Sequence, residues 1–224
     1  MSEPVLIPGG RDVRASLDRA TSVAVESGSN ESGSDESTGD EISTNAAVVA
    51  CPPHPQHRGH RGDERLVAVS DALTDRGIDC LRFDYGPWDE GYGETTDADN
   101  AVGWALERYE RVGLFGFSFG GCVALVTAAA RPELAGVCAL APTAELAPDV
   151  DAVESLSAIA DAGVPSRIVY ATRDTTAEWR PVVERAESIG IATVGIETDH
   201  FFVGRSDEVA MHATDFLVPA LSRS

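Results

Sequence analysis

From residue 46 onward the chain alternates between short apolar runs and longer segments with apolar residues at helical spacing. The short runs are apolar at nearly every position, which is typical of strands buried on both faces of a parallel sheet. The first longer segment carries Leu66, Val69 and Leu73 on one helical face, and Gly77 follows at its end. The alternation predicts an α/β protein with helices on both faces of a mostly parallel sheet.

The pattern predicts six strands and six helices in this part of the chain. The strands span residues 46–51, 78–83, 111–117, 135–140, 166–172 and 192–197. The helices span residues 60–76, 97–109, 119–130, 153–162, 178–189 and 206–221. Two short extended patterns precede them, at residues 4–7 and 22–26, and we expect these to add an antiparallel edge. The sheet is therefore expected to have seven or eight strands.

A segment of different composition lies near the N-terminus. Residues 27–44 contain Ser, Gly, Asp, Glu and Asn with almost no apolar residue. Such a composition cannot bury enough surface to offset the entropy lost on ordering. Because the residues before it are too few for a separate core, we predict a mobile acidic hairpin loop within one domain that spans residues 1–224. An interaction tail is the alternative.

The net charge of the chain limits the classes of partner it can bind and indicates the salt concentration in which it works. It carries 37 Asp and Glu residues against 17 basic residues, all of them Arg, for a net charge of −20. Binding to phosphates needs a basic face, so we expect no nucleic-acid partner and no membrane partner. Self-repulsion is screened at about 1 M salt, where the Debye length is about 3 Å. The charge and the absence of Lys are typical of salt-adapted proteins, such as those of haloarchaea; an ordinary acidic mesophilic protein is the alternative.

The cysteines and the termini predict a cytoplasmic location. All four cysteines lie in apolar segments and form no CxxC pair, so we expect buried free thiols in a reducing compartment. They are Cys51, Cys80, Cys122 and Cys138. The N-terminus lacks the charged start and apolar stretch of a signal peptide. No apolar run is long enough to cross a membrane.

A Gly-x-Ser-x-Gly pattern at residues 116–120 points to nucleophilic catalysis. It follows a predicted strand and begins an apolar helix, which is the context of a nucleophile elbow. Gly116 and Gly120 remove the side chains that would collide where strand and helix approach. The hydroxyl of Ser118 is then expected at the carboxyl end of the sheet, near the positive end of the helix dipole. A glycine-rich turn with a surface serine is the alternative.

A catalytic serine needs a base and an orienting acid. Asp174 and His200 follow later predicted strands, in the chain order expected for this elbow. Of the five histidines, His200 is the one that lies both after the serine and in a predicted loop. Three other acids are alternatives. Asp199 lies beside the base, and Glu145 and Asp149 both follow the predicted strand 135–140.

Two backbone N–H groups are needed to bind an oxyanion. Phe119, next after the serine, is the expected source of one, and the loop at residues 52–59 of the other. Because proline has no N–H, His54 and Gln56 are the candidates in that loop, and His54 is favoured. The alternative role of this region is a metal site formed by Cys51, His54, His57 and His60. Their spacing is loose, so we predict no metal and no other cofactor.

With these motifs the chain resembles an α/β-hydrolase over roughly residues 46–221, and especially the small capless members that are similar to dienelactone hydrolase. Pro53-His54-Pro55 with Gly59 resembles the oxyanion loop of that group. Asp84-Tyr85-Gly86 and then Gly91-Tyr92-Gly93-Glu94 resemble the loop after its fourth strand. Asp199-His200-Phe201-Phe202 with Gly204 resembles its histidine loop. Pro52 and Arg58 depart from the oxyanion pattern, and the nucleophile is Ser118 where dienelactone hydrolases have Cys.

The resemblance implies a serine hydrolase of the carboxylesterase or thioesterase kind. Between strands 135–140 and 166–172 there is room for one helix but not for a cap. An open site suits small or exposed acyl substrates, with Trp88, Tyr92 and Phe117 as candidate pocket residues, and core packing is the favoured alternative for Phe117. The alternatives are an acyltransferase with the same triad and a non-catalytic binding or scaffold protein of the same fold. The natural substrate and the oligomeric state are left open.

Overall fold

The computed structural model describes residues 2–20 and 45–222. Its strands, in chain order, are β1 Ser2–Ile7, β2 Val13–Asp18, β3 Ala46–Cys51, β4 Asp79–Asp84, β5 Arg111–Phe117, β6 Gly136–Leu140, β7 Glu145–Ala147, β8 Val150–Asp151, β9 Ser166–Ala171 and β10 Ala192–Ile196. Eight of them form one sheet in the order β1-β2-β4-β3-β5-β6-β9-β10, and β7 pairs with β8. The six strands from β4 to β10 in this order are parallel, and β1 and β2 form an antiparallel edge. The predicted α/β architecture is confirmed.

Six helices cover both faces of this sheet. They are α1 Glu64–Thr74, α2 Tyr92–Leu106, α3 Phe119–Ala129, α4 Ala152–Asp161, α5 Arg180–Ser188 and α6 Ser206–Leu221. The helices α1 and α6 pack on one face, and α2 to α5 pack on the other. Along β3 and β5, Val48 and Phe115 pack in the core beneath α1 and α6. Their neighbours Val49 and Leu114 pack in the core beneath α2 to α5. Because neighbouring residues of one strand are buried on opposite faces, these strands are apolar throughout.

The N-terminal edge differs from the expectation in one strand. The second strand lies at Val13–Asp18, where Val13, Ala15 and Leu17 alternate with more exposed neighbours. It pairs with β1 and β4, whereas β3 pairs with β4 and β5. The chain from β2 to β3 therefore joins two strands that are not paired with each other. The extended pattern at 22–26 and the acidic loop predicted at 27–44 lie outside the described residues.

Two helix starts also differ from the sequence pattern, and local capping explains both. The helix α1 begins at Glu64, because the Asp63 carboxylate accepts the Arg65 N–H and fixes the start there. The helix α2 begins at Tyr92, five residues before the expected start, because the buried Glu94 carboxylate accepts the N–H of Gly91. The segment Gly91-Tyr92-Gly93-Glu94, which resembles part of a loop in the hydrolase family, is therefore the cap and first turn of α2.

Between β6 and β9 the chain forms only the β7–β8 hairpin and α4, so no cap covers the sheet, as the sequence predicted. All four cysteines are buried and free, which confirms the prediction of buried free thiols. Burial raises the pKa of Cys80, Cys122 and Cys138 to about 12. In residues 2–20 and 45–222, no helix combines the length and apolarity of a membrane span.

Candidate active site

Ser118 occupies a sharp turn between β5 and α3. Its φ of 58° and ψ of −116° are rare for a residue with a side chain. Its N–H donates to the Leu140 carbonyl at 2.8 Å. A Cβ added to Gly116 would lie 2.0 Å from the Gly120 carbonyl oxygen, and one added to Gly120 would lie 2.3 Å from the Cys51 carbonyl oxygen. Both positions therefore require glycine, and the expected strand, tight turn and helix are all present.

The three residues predicted as a triad lie in one hydrogen-bonded series. His200 Nε2 is 2.9 Å from Ser118 Oγ, and His200 Nδ1 is 2.6 Å from Asp174 Oδ2. His200 and Asp174 are 4% and 3% exposed, while Ser118 is partly open to solvent. A carboxylate can only accept, so the proton between the ring and Asp174 belongs to Nδ1. Nε2 is then free to accept the hydroxyl proton of the serine.

The second oxygen of Asp174 is held by its own loop. Asp174 Oδ1 accepts the N–H of Thr176 at 2.7 Å and of Ala177 at 3.0 Å. The Asp174 carbonyl accepts the indole N–H of Trp179 at 3.2 Å. These bonds leave Oδ2 directed at the imidazole. The role of Trp179 was not evident from the sequence, because an indole five residues from an acid has no motif of its own.

The alternative acids lie elsewhere. Asp199 Oδ1 accepts the Phe201 N–H at 3.0 Å within the histidine loop. Glu145 is the first residue of β7 and Asp149 lies in the turn between β7 and β8, both with exposed side chains. The structure thus brings Asp174, and none of these three, to His200.

The loop at residues 52–59 narrows the choice of the second N–H donor. His54 Nδ1 accepts the Gln56 N–H at 3.2 Å, so that N–H is engaged within its own loop. The His54 carbonyl accepts from His57 and Gly59, at 3.0 Å each. On the serine side, Phe119 begins α3, and the first N–H groups of a helix have no partner within the helix. His54 and Phe119 remain the candidate donors, and their rings lie 4.9 Å apart.

Four rings beside Ser118 form what we call the ring stack, which consists of His57, His54, Trp88 and Phe119. The His54 ring lies 4.4 Å from His57 and 4.7 Å from Trp88, each at an interplanar angle of 24°. Burial and the neighbouring His57 lower the pKa of His54, although Glu94 opposes them. A neutral imidazole agrees with the Nδ1 atom that accepts the Gln56 N–H.

The three candidate pocket residues fall in different places. Trp88 and Tyr92 are 36% and 42% exposed. Phe117 is 2% exposed, and its ring packs against His200 and Phe202. Phe117 therefore lies beneath the site and not in a substrate pocket, because the last residue of β5 points into the core under α1 and α6.

The four residues considered as metal ligands, Cys51, His54, His57 and His60, do not form a metal site. His54 and His60 each use Nδ1 to accept a backbone N–H, from Gln56 and Gly62. Cys51 is fully buried. Within residues 2–20 and 45–222, no group of three or more His, Cys, Asp or Glu side chains is arranged to hold a metal ion.

Comparisons with known proteins define the fold. No protein-family model matches the sequence. An uncharacterized protein of Rickettsia prowazekii is 24% identical over 195 residues, which cover 79% of this chain and 80% of that protein.

Two solved structures superpose on nearly the whole chain. An α/β serine hydrolase without a lid from Xanthomonas campestris has a TM-score of 0.74 at 19% identity and covers 100% of this chain and 96% of its own. A dienelactone hydrolase from Anabaena variabilis has a TM-score of 0.71 at 18% identity and covers 99% and 98%. The chain therefore has the α/β-hydrolase fold without a cap, and its expected likeness to dienelactone hydrolase is confirmed at the level of the fold.

Proposed function

We propose that this protein is a serine hydrolase that cleaves ester or thioester bonds through an acyl-enzyme on Ser118. The observation that carries the proposal is the hydrogen-bonded series of Ser118, His200 and Asp174 at a strained strand-to-helix turn. Nucleophile, base and orienting acid at these distances activate a serine hydroxyl, which is otherwise a weak nucleophile.

In the proposed reaction, Ser118 Oγ attacks the acyl carbon as His200 Nε2 takes its proton. The imidazolium is stabilised by Asp174, and the oxyanion accepts hydrogen bonds from the N–H groups of Phe119 and His54. When the intermediate collapses, the leaving alcohol or thiol takes the proton from His200. Water, deprotonated by His200, then attacks the acyl-enzyme, so that the acid is released and the serine hydroxyl is restored.

Labelling with a fluorophosphonate serine-hydrolase probe in concentrated KCl tests this proposal directly. We expect wild type to be labelled at Ser118, and the Ser118→Ala and His200→Ala variants to remain unlabelled. Incubation of an ester with added alcohol or amine then separates hydrolysis from transfer, because an acyltransferase forms the new ester or amide in preference to the acid. A folded wild type that resists the probe and cleaves no ester would favour a binding protein.

Substrate preference is expected to follow from the ring stack. The site has no cap and Trp88 is exposed beside Phe119, so a small acyl group with an aromatic ring can pack on the indole. We expect Trp88→Ala to lower kcat/KM about fivefold for ethyl phenylacetate and by less than about twofold for ethyl acetate. Proton release measures both rates.

Met211→Ala, at an exposed apolar residue on α6, is the control for Trp88→Ala and should change neither rate. An equal loss on both esters would show that Trp88 supports the loop of His54 and does not contact the acyl group.

We also propose that the protein is cytoplasmic and adapted to concentrated salt, on the basis of its free thiols and its charge of −20 without Lys. Raising KCl from 0.1 M to 3 M screens this charge, so the midpoint of thermal unfolding is expected to rise by at least about 5 °C. Circular dichroism at several KCl concentrations measures it. A midpoint that is flat or falling would contradict salt adaptation.

A further inference from the structure

A single arginine on α1 contacts the chain on both sides of the candidate site. Arg65 is 11% exposed, and its guanidinium lies 4.4 Å from the centre of the Phe117 ring, measured from Cζ. Its Nη1 donates to the Phe201 carbonyl at 2.8 Å. Phe117 directly precedes the nucleophile, and Phe201 directly follows the histidine. One side chain thus joins the neighbours of both reacting residues.

The guanidinium is held in this orientation by Asp63. Arg65 Nε donates to Asp63 Oδ1 at 2.8 Å, and Nη2 donates to Asp63 Oδ2. Asp63 also caps α1 by accepting the Arg65 N–H at 3.0 Å. A guanidinium is planar and its donors keep fixed directions, so this two-point contact aims the remaining Nη1 at Phe201. Arg65 Nη1 also donates to the exposed Glu64 carboxylate, at a longer distance of 3.3 Å.

The histidine loop is anchored in the core by Phe202, and Arg65 binds the exposed part of the loop next to His200. Phe201 and Val203 are 52% and 72% exposed, whereas Phe202 between them is buried with φ of 52°, so burial of the Phe201 side chain does little to fix its own backbone. The Phe117 ring beneath Arg65 lies 5.3 Å from the His200 ring. The arginine therefore fixes the backbone beyond His200 and the ring on which His200 packs.

We propose that Arg65 is a positioning residue that fixes the His200 loop relative to Ser118. The proposal rests on the proposed function, because the role is to hold Nε2 at hydrogen-bond distance from Oγ. A displacement of about 1 Å between reacting groups can cost about 10²-fold in rate. Arg65 acts through Phe201 and Phe117, and its guanidinium is engaged by Asp63 and the loop.

The test compares Arg65→Met, Arg65→Lys and Arg76→Met with wild type. We expect Arg65→Met to lower kcat for ester hydrolysis by about tenfold to a hundredfold, with KM changed by less than about twofold. The rate of fluorophosphonate labelling should fall by the same factor. Arg65→Lys keeps one donor for Phe201 and should recover part of the loss. Arg76→Met removes a charge at the other end of α1, where the side chain contacts the Ala72 carbonyl, and should leave kcat unchanged.

Two measurements separate positioning from stability. Titration of labelled sites gives kcat per active site, which lost stability alone would not change. The proton in the short hydrogen bond between His200 and Asp174 is expected to give an NMR signal far downfield, which should shift or broaden in Arg65→Met whether or not a substrate is turned over. If Arg65→Met does not fold, Asp63→Asn keeps the helix cap but loosens the guanidinium, and kcat should fall about threefold to tenfold.

An unchanged kcat and proton signal in a folded Arg65→Met would overturn the role of Arg65 and leave the proposed function intact. The proposed function is tested separately by Ser118→Ala, and it would be contradicted if that variant kept the wild-type rate of ester hydrolysis. In that case the NMR signal alone decides whether Arg65 positions His200.

Discussion

Replacement of Ser118 by alanine is expected to lower kcat/KM for a short ester by at least about 10⁴-fold. Triad residues act as a unit, so removal of the nucleophile leaves only the contributions of substrate binding and the oxyanion donors. The side chain of Ser118 contacts His200, and alanine keeps the backbone strain of the turn unchanged. The midpoint of thermal unfolding should therefore stay close to that of wild type while acid release from the ester is lost.

Two controls make this result specific. Ser188→Ala removes a hydroxyl at the end of α5 that donates only to the Arg185 carbonyl, and should retain the wild-type rate. His200→Ala should cost about as much as Ser118→Ala, and the double variant no more than either, because the two act in one step. A Ser118→Ala protein with activity within about tenfold of wild type would show that another nucleophile acts.

The sheet was predictable because burial on both faces leaves few positions for polar residues. The parallel strands from β3 onward agree with the apolar runs to within one or two residues. The second N-terminal strand was missed because only one of its faces is buried. Val13, Ala15 and Leu17 carry that signal, but they alternate with Arg14, Ser16 and Asp18, which make the segment look polar. An alternating pattern of six residues is weaker than a continuous apolar run.

The first turns of α2 contain buried carboxylates that hydrophobic spacing alone does not reveal. Glu94 and Asp97 lie in the first turns of α2 and appear polar in the sequence, yet both are buried. Glu94 accepts backbone N–H groups of the preceding loop, and Asp97 accepts from Arg11 and Gly86. The two carboxylates are bound by partners that the local sequence does not reveal, so the pattern predicts a helix that begins only at Asp97, after Glu94.

The reacting residues were easier to predict than the residues that support them. Ser118, Asp174 and His200 each follow a strand, and parallel strands bring their carboxyl ends to one edge of the sheet. Arg65 and Phe201 are 136 positions apart, and their contact depends on how α1 packs beside the histidine loop. No local pattern contains that information. For a similar reason the sequence leaves both a pocket and a core role open for Phe117, since the motif gives its position in the chain but not the face of β5 on which its ring lies.

Substitution of Asp174 by asparagine is expected to lower kcat/KM by about 10⁴-fold without unfolding the protein. The N–H groups of Thr176 and Ala177 would fix the amide oxygen at the place of Oδ1. The amide nitrogen would then take the place of Oδ2 and donate to His200 Nδ1. The ring must in response carry its proton on Nε2, which can no longer accept the proton of Ser118.

The matched control for Asp174→Asn is Asp199→Asn, which removes a carboxylate beside the histidine. An asparagine there can still accept the Phe201 N–H, so its rate should stay within about threefold of wild type. Glu145→Gln, at another of the three alternative acids, should likewise keep its activity, because that side chain is exposed on β7. Steady-state hydrolysis of one ester by all three variants decides among the acids. A large loss in Asp199→Asn or Glu145→Gln, with Asp174→Asn active, would move the orienting role away from Asp174, because only the residue that sets the tautomer of His200 can produce a loss of this size.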